Sequence, residues 1–479
     1  MKKIIIVSML ILGLFCSGLV LQTASEFFFP GLVAASNAPS YVRLIAPYCC
    51  DGVRDDAEIQ QAISDANEGD YYVKLSTGTF NIRSSIKPLS NTSMLSETHK
   101  TIIKKPASKR SLLTVDAVAA EDHIHITDSN GFLAGDEVFI RADNKTGWST
   151  EYHTITSVAG NIVYVTPVID DTYATAQAAV LSNEFPAIRI GKYTGTDSCN
   201  RDNVQIKNIT LDGNAANRAD DVIGESRNAL VWISGKTAGS TTNVTISNMR
   251  LINATSASFV TVNGKHIFVK DCISQNSGTA QRGFEVAHSS SDVSLTNCHE
   301  SGSVYGMYFC EGTADVIVSA CSFVDNTSYA VCVQTDDNFL FNGCVFANAG
   351  LALVFSNNTL SRGIFSGCDF RGTAAGARTI TIGSTSRYIF TGCNIVKGAA
   401  QANYSTVYLN SPNNIITGNY IGHEYVSGTG AGVELTANAA NCVVTGNLID
   451  DDGGTAISDS GSNNLTVTAT DGDALNTVK

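Results

Sequence analysis

The chain has 479 residues, of which 43% are hydrophobic and 16% are charged, and its formal net charge is −13. This apolar fraction is enough for a large core and excludes a disordered chain. The negative charge disfavours nucleic acid as a partner, and it also repels acidic glycans unless a basic patch or a bound cation intervenes.

The first segment has the pattern of an export signal. Lys2 and Lys3 precede an apolar run over residues 4–21, and small residues follow at 23–25. This pattern predicts a signal peptide over residues 1–25 and a secreted or cell-surface protein. The apolar run is also long enough to span a bilayer, so the segment would be a membrane anchor if it stayed uncleaved.

Residues 40–111 are predicted to form an N-terminal cap and a first coil. Asp55 or Asp56 can cap a helix whose apolar stripe runs from Ile59 to Ala66 at helical spacing. A solenoid needs such a cover, because an open first coil would expose apolar side chains and unpaired strand edges.

The same segment contains a recognisable motif. It reads Asp51-Gly52-Val53-Arg54-Asp55-Asp56, then Ile59-Gln60 and Ala62-Ile63, then Gly78-Thr79-Phe80. This motif resembles the N-terminal signature of the pectate-lyase-like superfamily, in its rhamnogalacturonase/epimerase-like branch. The resemblance implies a right-handed parallel β-helix and a carbohydrate substrate or ligand. It does not imply one reaction, because the branch includes hydrolases, lyases, epimerases, phage tailspikes and proteins without known activity.

Residues 112–185 differ from the rest and are predicted to form a small β insertion. The stretches 132–140 and 160–165 have the pattern of hairpin strands. Trp148 and Tyr152 could stack on a sugar face as substrate-binding residues, or they could belong to the core of the insertion. The sequence does not distinguish these alternatives.

Residues 186–470 carry a repeat whose period lies between 23 and 28 residues. Apolar side chains alternate with polar ones before a small anchor residue, which is typical of strands with one inward face. The anchor is a cysteine in six repeats: Cys272, Cys298, Cys321, Cys344, Cys368 and Cys393. Repeats this short bury a core only when they stack. The sequence therefore predicts an all-β, right-handed parallel β-helix of about ten or more coils.

The 13 cysteines would ordinarily indicate disulfides in an exported protein. Their spacing indicates a different role, since one cysteine per coil at the same position forms a column of buried thiols. Pairing neighbours within this column would distort the strand register. Zinc-type Cys-x-x-Cys spacing does not occur in the sequence.

One group of ionisable residues is a candidate active site. Aligning successive coils predicts two outward strips: Glu285, Tyr308 and Val331 in one, and His288, Glu311 and Gln334 in the other. A groove that holds Glu285, His288, Tyr308 and Glu311 could supply a general acid, a general base and charge stabilisation. Arg282 stands beside them as a substrate-binding residue. The alternative is a solvated polar strip at a turn.

The longest gap between anchors, residues 209–249, is the second candidate. Asp212, Asp220 and Asp221 could hold Ca²⁺, which would also offset the repulsion of an anionic glycan. Arg218 in the same loop is a candidate substrate-binding residue. The alternative is an acidic loop without a ligand.

The leading interpretation is a secreted enzyme that acts on an acidic or complex polysaccharide as a lyase, hydrolase or epimerase. The alternatives are a non-catalytic glycan-binding or adhesion β-helix and a tailspike-like depolymerase. Polysaccharide is the expected partner in each case. Ca²⁺ is the one cofactor that the carboxylates suggest, and the sequence does not specify an oligomeric state.

Overall fold

The protein forms a solenoid of about 13 turns, built from three long parallel sheets, with a small antiparallel sheet inserted near its N-terminal end. The structure is a computed structural model that describes residues 29–69, 71–142, 151–192, 199–218, 228–276, 280–310, 312–334, 338–356, 362–373, 378–383, 387–398, 403–423, 430–450, 455–466 and 476–478. The predicted all-β parallel solenoid is confirmed. The predicted signal peptide, residues 1–25, lies outside the described residues.

The coils contribute strands to three sheets, which we call A, B and C, and a complete coil contributes one strand to each. Sheet A contains Tyr48–Cys49, Leu32–Ala34, Val73–Leu75, Ser93–Ser96, Asp202–Lys207, Thr241–Ser247, Gly264–Lys270, Ser291–Thr296, Ala314–Ser319, Phe339–Asn342, Arg362–Ser366, Arg387–Thr391, Ile415–Thr417, Val443–Thr445 and Leu465–Thr466. Sheet B contains Gly78–Asn81, Thr101–Lys104, Thr210–Asp212, Arg250–Ile252, Ile273–Gln275, His299–Ser301, Ser322–Val324, Val345–Ala349, Asp369–Thr373, Asn394–Lys397, Tyr420–His423, Asn447–Ile449 and Asn476–Val478. Sheet C contains Ile188–Ile190, Val231–Ser234, Ala257–Val262, Arg282–Ala287, Tyr305–Cys310, Tyr329–Val333, Ala352–Ser356, Ile380–Ile382, Val407–Leu409, Val433–Leu435 and Ile457–Asp459.

The corner between sheets A and B explains the anchor of the repeat. Its first residue adopts the left-handed conformation, as at Asn208 (φ 64°), Asn297 (φ 51°) and Gly392 (φ 62°). Asparagine and glycine tolerate this conformation better than other residues, so the chain turns sharply there. The next residue is the anchor, and its side chain points into the core.

The six anchor cysteines are all buried, as predicted. The Cys298 amide donates a hydrogen bond to Cys321 Sγ at 3.3 Å, and Cys344 Sγ donates to the Val318 carbonyl at 3.4 Å. Beside them, aromatic rings stack from coil to coil, for example Phe341 on Phe365 with ring centroids 5.0 Å apart. The thiols therefore pack as small side chains inside the solenoid, and all 12 described cysteines are free.

Two α-helices precede the coils, Ser40–Ile45 (α1) and Asp55–Gly69 (α2). The apolar stripe from Ile59 to Ala66 is buried, as predicted. The Asp55 carboxylate accepts hydrogen bonds from the amides of Gly52 and Asn81, both at 2.7 Å, so it ties the start of α2 to the first strand of sheet B. Short 3₁₀ helices cover Thr175–Gln177 and Ala215–Asn217. Within the described residues, no helix combines the length and apolar character needed to cross a membrane.

The segment predicted as an insertion contains a separate antiparallel sheet, which we call sheet D. Its strands are Arg110–Leu112, Val180–Ser182, Glu137–Arg141, Glu151–Ala159, Ile162–Thr166 and His123–His125. Tyr152 is buried and packs against Phe139 and against Trp232 of sheet C, so it belongs to the core instead of stacking on a sugar. Trp148 lies outside the described residues.

A buried ion pair joins sheet D to the solenoid. The Glu137 carboxylate contacts Arg189 at 2.7 Å and Lys87 at 3.4 Å, and it accepts a hydrogen bond from the Ser85 amide at 2.7 Å. Burial alone would raise the pKa of Glu137, but the two cations and Ser85 lower it to about 2. Glu137 is therefore ionised at neutral pH and fixes sheet D in place.

Candidate functional site

The backbone register of sheet C aligns one residue of each coil with Glu285, and we call this line the outer row. It contains Val260, Glu285, Tyr308, Cys332, Phe355, Thr381, Tyr408, Glu434 and Ser458. Glu285 and Tyr308 are neighbours in this row, as predicted. Val331 is not part of it, because the interval after Tyr308 is one residue longer than the interval before it, so Cys332 takes the outward place and Val331 is buried in the core.

Three residues meet on this face, and we call them the Arg282 cluster: Arg282, Glu285 and Tyr308. Arg282 Nη1 donates a hydrogen bond to Glu285 Oε2 at 3.0 Å. The guanidinium carbon of Arg282 lies 4.5 Å from the ring centroid of Tyr308, a cation–π geometry. The Glu285 side chain is only 2% exposed and that of Arg282 is 17% exposed, so the ion pair lies largely under cover.

The protonation states of Tyr308 and Arg282 follow from their surroundings. Burial raises the pKa of Tyr308, and the opposing effect of the Arg282 cation does not cancel the rise, so the phenol stays protonated at neutral pH. Burial would lower the pKa of Arg282, but Glu285 and Tyr308 raise it, so the guanidinium stays charged. Cys310 Sγ donates to Glu285 Oε1 at 3.7 Å. Both carboxylate oxygens of Glu285 thus have partners inside the protein.

A second line of residues runs along the edge of sheet C, and we call it the edge column. In register it places Arg282, Tyr305, Tyr329 and Ala352 on successive coils. The rings of Tyr305 and Tyr329 are half-buried and stacked, with centroids 5.8 Å apart and planes 7° from parallel. The edge column therefore presents two aromatic rings beside the Arg282 guanidinium.

Sequence reasoning missed both tyrosines of the edge column, although a pattern marks them. Each stands three residues before its outer-row residue, Tyr305 before Tyr308 and Tyr329 before Cys332. Arg282 stands at the same distance before Glu285. A comparison of coils at this position would have found the column.

The described structure does not test the catalytic roles predicted for the other two residues, His288 and Glu311. His288 directly follows the strand Arg282–Ala287 in a left-handed conformation (φ 46°), and its amide donates to the Cys310 carbonyl at 3.2 Å. Glu311 lies outside the described residues. The structure thus brings Glu285 and Tyr308 together, and the complete set of four stays a prediction.

Arg218 has a structural position instead of the predicted substrate-binding one. It is 2% exposed, and its guanidinium donates to the carbonyls of Pro106 at 2.8 Å and Asn183 at 3.3 Å. A long side chain that satisfies backbone acceptors under cover does not present its charge to a ligand. The burial of Arg218 could not be predicted from the sequence, because a polar loop favours exposed side chains.

The calcium site stays a prediction. Asp212 Oδ1 accepts hydrogen bonds from the Asn214 amide at 2.9 Å and from Asn253 Nδ2 at 3.0 Å, which is a turn-stabilising arrangement. Asp220 and Asp221, its predicted co-ligands, lie outside the described residues.

Among the described residues, a metal-ligand type of grouping occurs at the start of α2. Potential ligand atoms of Cys50, Asp55 and Glu58 lie within 4.8 Å of one another. The positive end of the helix dipole disfavours a cation there, and both Asp55 oxygens already accept backbone hydrogen bonds. We interpret the group as a helix cap.

Comparison with known protein families agrees with this coil geometry. The family described as the right-handed β-helix region matches residues 306–471. The fold is a right-handed parallel β-helix. The right-handed parallel β-helix that the sequence resemblance implied is thereby confirmed. A search of curated protein sequences finds no match.

Solved structures with similar folds include three kinds of protein. The A-module of the mannuronan C-5 epimerase AlgE6 from Azotobacter vinelandii aligns with a TM-score of 0.49 and 16% identity, over 88% of this chain and 97% of that one. The catalytic domain of a GH87 α-1,3-glucanase in complex with nigerose aligns with a TM-score of 0.44 and 10% identity, over 94% and 70%. The tailspike gp49 of Pseudomonas phage LKA1 aligns with a TM-score of 0.36 and 13% identity, over 86% and 74%. At these values the likeness concerns the fold alone.

Proposed function

We propose that this protein binds a polysaccharide on the outward face of sheet C, with the sugar chain along the solenoid axis. Arg282 contacts the sugar oxygens, and the exposed parts of the Tyr305 and Tyr329 rings contact the sugar rings. Export through the segment predicted as a signal peptide would bring this face to extracellular glycans.

The observation that carries the proposal is the state of the Arg282 side chain. Its Nη1 is bound to Glu285, but its Nε is buried and has no hydrogen-bond partner within the part of the chain that the structure describes. A buried donor without a partner is unfavourable, and a ligand oxygen would satisfy it once the 17% exposed Arg282 side chain shifts toward the ligand. The rings of Tyr305 and Tyr329 beside it are half-buried, and their exposed parts offer aromatic surface to the C–H groups of a sugar.

Binding is better supported than catalysis by the described geometry. A lyase or an epimerase needs a base that is free to accept a proton, whereas the Glu285 oxygens are held by Arg282 and Cys310. An enzymatic role is a second candidate, favoured by one feature. The protonated Tyr308 beside the Arg282 cation could donate a proton to a leaving group.

The test is a binding screen on pectate, alginate, rhamnogalacturonan and neutral glucans, with and without Ca²⁺. We expect at least one polymer to bind, and the double variant Tyr305→Ala/Tyr329→Ala to lose about tenfold or more in affinity. Phe268→Ala is the matched control, because Phe268 is an exposed aromatic residue on sheet A. Lack of binding to every polymer, or equal affinity of the double variant, would contradict the proposal.

The same screen separates binding from catalysis. New reducing ends or unsaturated products would show an enzyme, and Tyr308→Phe should then abolish turnover while leaving binding largely intact. Binding without any product supports the binding function alone.

A further inference from the structure

A second arginine repeats the Arg282 arrangement further along sheet C. Arg378 stands three residues before its outer-row residue Thr381, as Arg282 does before Glu285. Its guanidinium carbon lies 3.6 Å from the ring centroid of Tyr408, the outer-row residue of the next coil. Both arginines therefore occupy the edge column, and each covers a tyrosine one coil ahead.

A glutamate completes the second group, as in the first. Arg378 Nη2 lies 3.5 Å from Glu434 Oε2, and Arg378 Nε donates to Ser405 Oγ at 3.2 Å. Ser405 Oγ in turn donates to Glu434 Oε2 at 2.7 Å. We call Arg378, Tyr408 and Glu434 the Arg378 cluster.

The Arg378 cluster is open to solvent, unlike the Arg282 cluster. The side chains of Arg378 and Glu434 are 32% and 34% exposed, and they line a cavity of about 250 Å³. The other residues around this cavity are Asn403, Tyr404, Ser405, Gly430, Ala431, Thr455 and Ser458. Its volume is below the usual range for drug-sized ligands, which suits a single sugar ring.

The register fixes the separation of the two arginines. Arg282, Tyr305, Tyr329 and Ala352 occupy successive coils, and Arg378 belongs to the coil after Ala352. Four coils correspond to about 19 Å along the axis. An extended sugar chain advances per residue by about the same distance as one coil, so one chain can reach both arginines.

We propose that the Arg378 cluster is a second subsite for the same polysaccharide chain, and that it recognises uncharged, hydroxyl-bearing sugar residues. This inference rests on the proposed function. Each arginine is already neutralised by a glutamate, Arg282 by Glu285 and Arg378 by Glu434. A neutral set of donors and acceptors matches sugar hydroxyls, which both donate and accept, better than it matches a carboxylate.

The experiment measures affinity against chain length. For the neutral glucan that binds best in the screen, a size series from the disaccharide to the decasaccharide is titrated calorimetrically into the wild type. We expect affinity to rise with length and to level off at roughly five residues, when the chain spans both arginines. Arg378→Ala should lower the affinity of the long members about tenfold and leave the disaccharide and trisaccharide unchanged.

Two controls make the outcome specific. Arg387→Ala removes an exposed arginine from sheet A and should not change binding, and the melting temperature of each variant checks folding. Titrations at low and high sodium chloride should give similar affinities, because recognition without net charge is weakly screened.

Different negative results contradict the second subsite, the neutral ligand and the proposed function. An affinity that is flat beyond the trisaccharide, or long oligosaccharides that bind Arg378→Ala as tightly as the wild type, would overturn the second subsite. Binding confined to alginate or pectate and lost at high salt would overturn the neutral ligand. Absence of binding to any polymer would overturn the proposed function itself.

Discussion

The Arg282 and Arg378 clusters contain the same three residue types on the same sheet, but one is covered and the other is open. In the Arg282 cluster the carboxylate is 2% exposed, whereas in the Arg378 cluster it is 34% exposed. Desolvation makes a buried charge dependent on its partner, while water can replace the partner of an exposed one. The same chemical motif is therefore expected to contribute more to the stability of the fold where it is covered, at Arg282, than where it is open, at Arg378.

The largest expected effect comes from breaking the covered pair. Arg282→Met leaves the Glu285 charge buried without its cation and should lower the free energy of unfolding by about 3–5 kcal/mol. The matched change in the open cluster, Arg378→Met, should lower it by less than about 1 kcal/mol. Urea unfolding of both variants checks this contrast. Similar losses of unfolding free energy in the two variants would show that burial of the ion pair does not make the clusters differ in stability.

The buried carboxyl of Glu300, whose hydrogen-bond partners are neutral, contrasts with the ion-paired carboxylates of the two arginine clusters. Glu300 lies inside the coils, where its carboxyl accepts hydrogen bonds from Asn326 Nδ2 at 2.7 Å and from the Ser303 amide at 3.3 Å. Burial raises the pKa of Glu300 from 4.5 to about 7, because these partners offset the loss of hydration only in part.

The raised pKa predicts a pH dependence of stability. The folded state holds the Glu300 proton that the unfolded state releases, so this stabilisation is complete below pH 4.5 and is lost as the pH rises through about 7. The loss should amount to about 3 kcal/mol at 1.36 kcal/mol per pKa unit. Glu300→Gln should flatten the unfolding free energy between pH 5 and pH 8, measured by urea titration at each pH. An unchanged slope would mean that Glu300 is not the titrating group.

Only a small effect on stability is expected when the whole covered pair is removed. Arg282→Met/Glu285→Leu leaves no unpaired charge, so its unfolding free energy should stay within about 1 kcal/mol of the wild type. The same variant should bind glycans poorly, because the Nε donor of Arg282 is gone. Calorimetric titration and urea unfolding of one preparation test both statements. A glycan affinity equal to that of the wild type would show that Arg282 does not contact the ligand.

The coil register was predictable because the same two residue positions recur at successive corners between sheets A and B. A left-handed residue followed by a small buried one, as at Asn297 and Cys298, marks the same point in successive coils. Loops elsewhere vary in length, and one extra residue was enough to misplace Val331. The prediction therefore succeeds where the chain repeats and fails where it does not.

The candidate site was only partly predictable for a related reason. Glu285 and Tyr308 were found because they stand at the same distance before Asp292 and Asp315 on adjacent coils. The cover over Glu285 and the burial of Arg218 depend on how irregular segments pack, which has no periodic pattern. The Arg378 cluster draws its side chains from three coils, so an accurate register is needed before its members can be recognised as neighbours.

The anchor thiols have a consequence for handling the protein. The six side chains are shielded from oxidants while the coils are stacked, so these thiols should stay reduced in the folded molecule without an added reducing agent. Unwinding would release six reactive groups along one stretch of chain, and in air these would cross-link at random. Thermal unfolding should then be more reversible under a thiol reductant than without it.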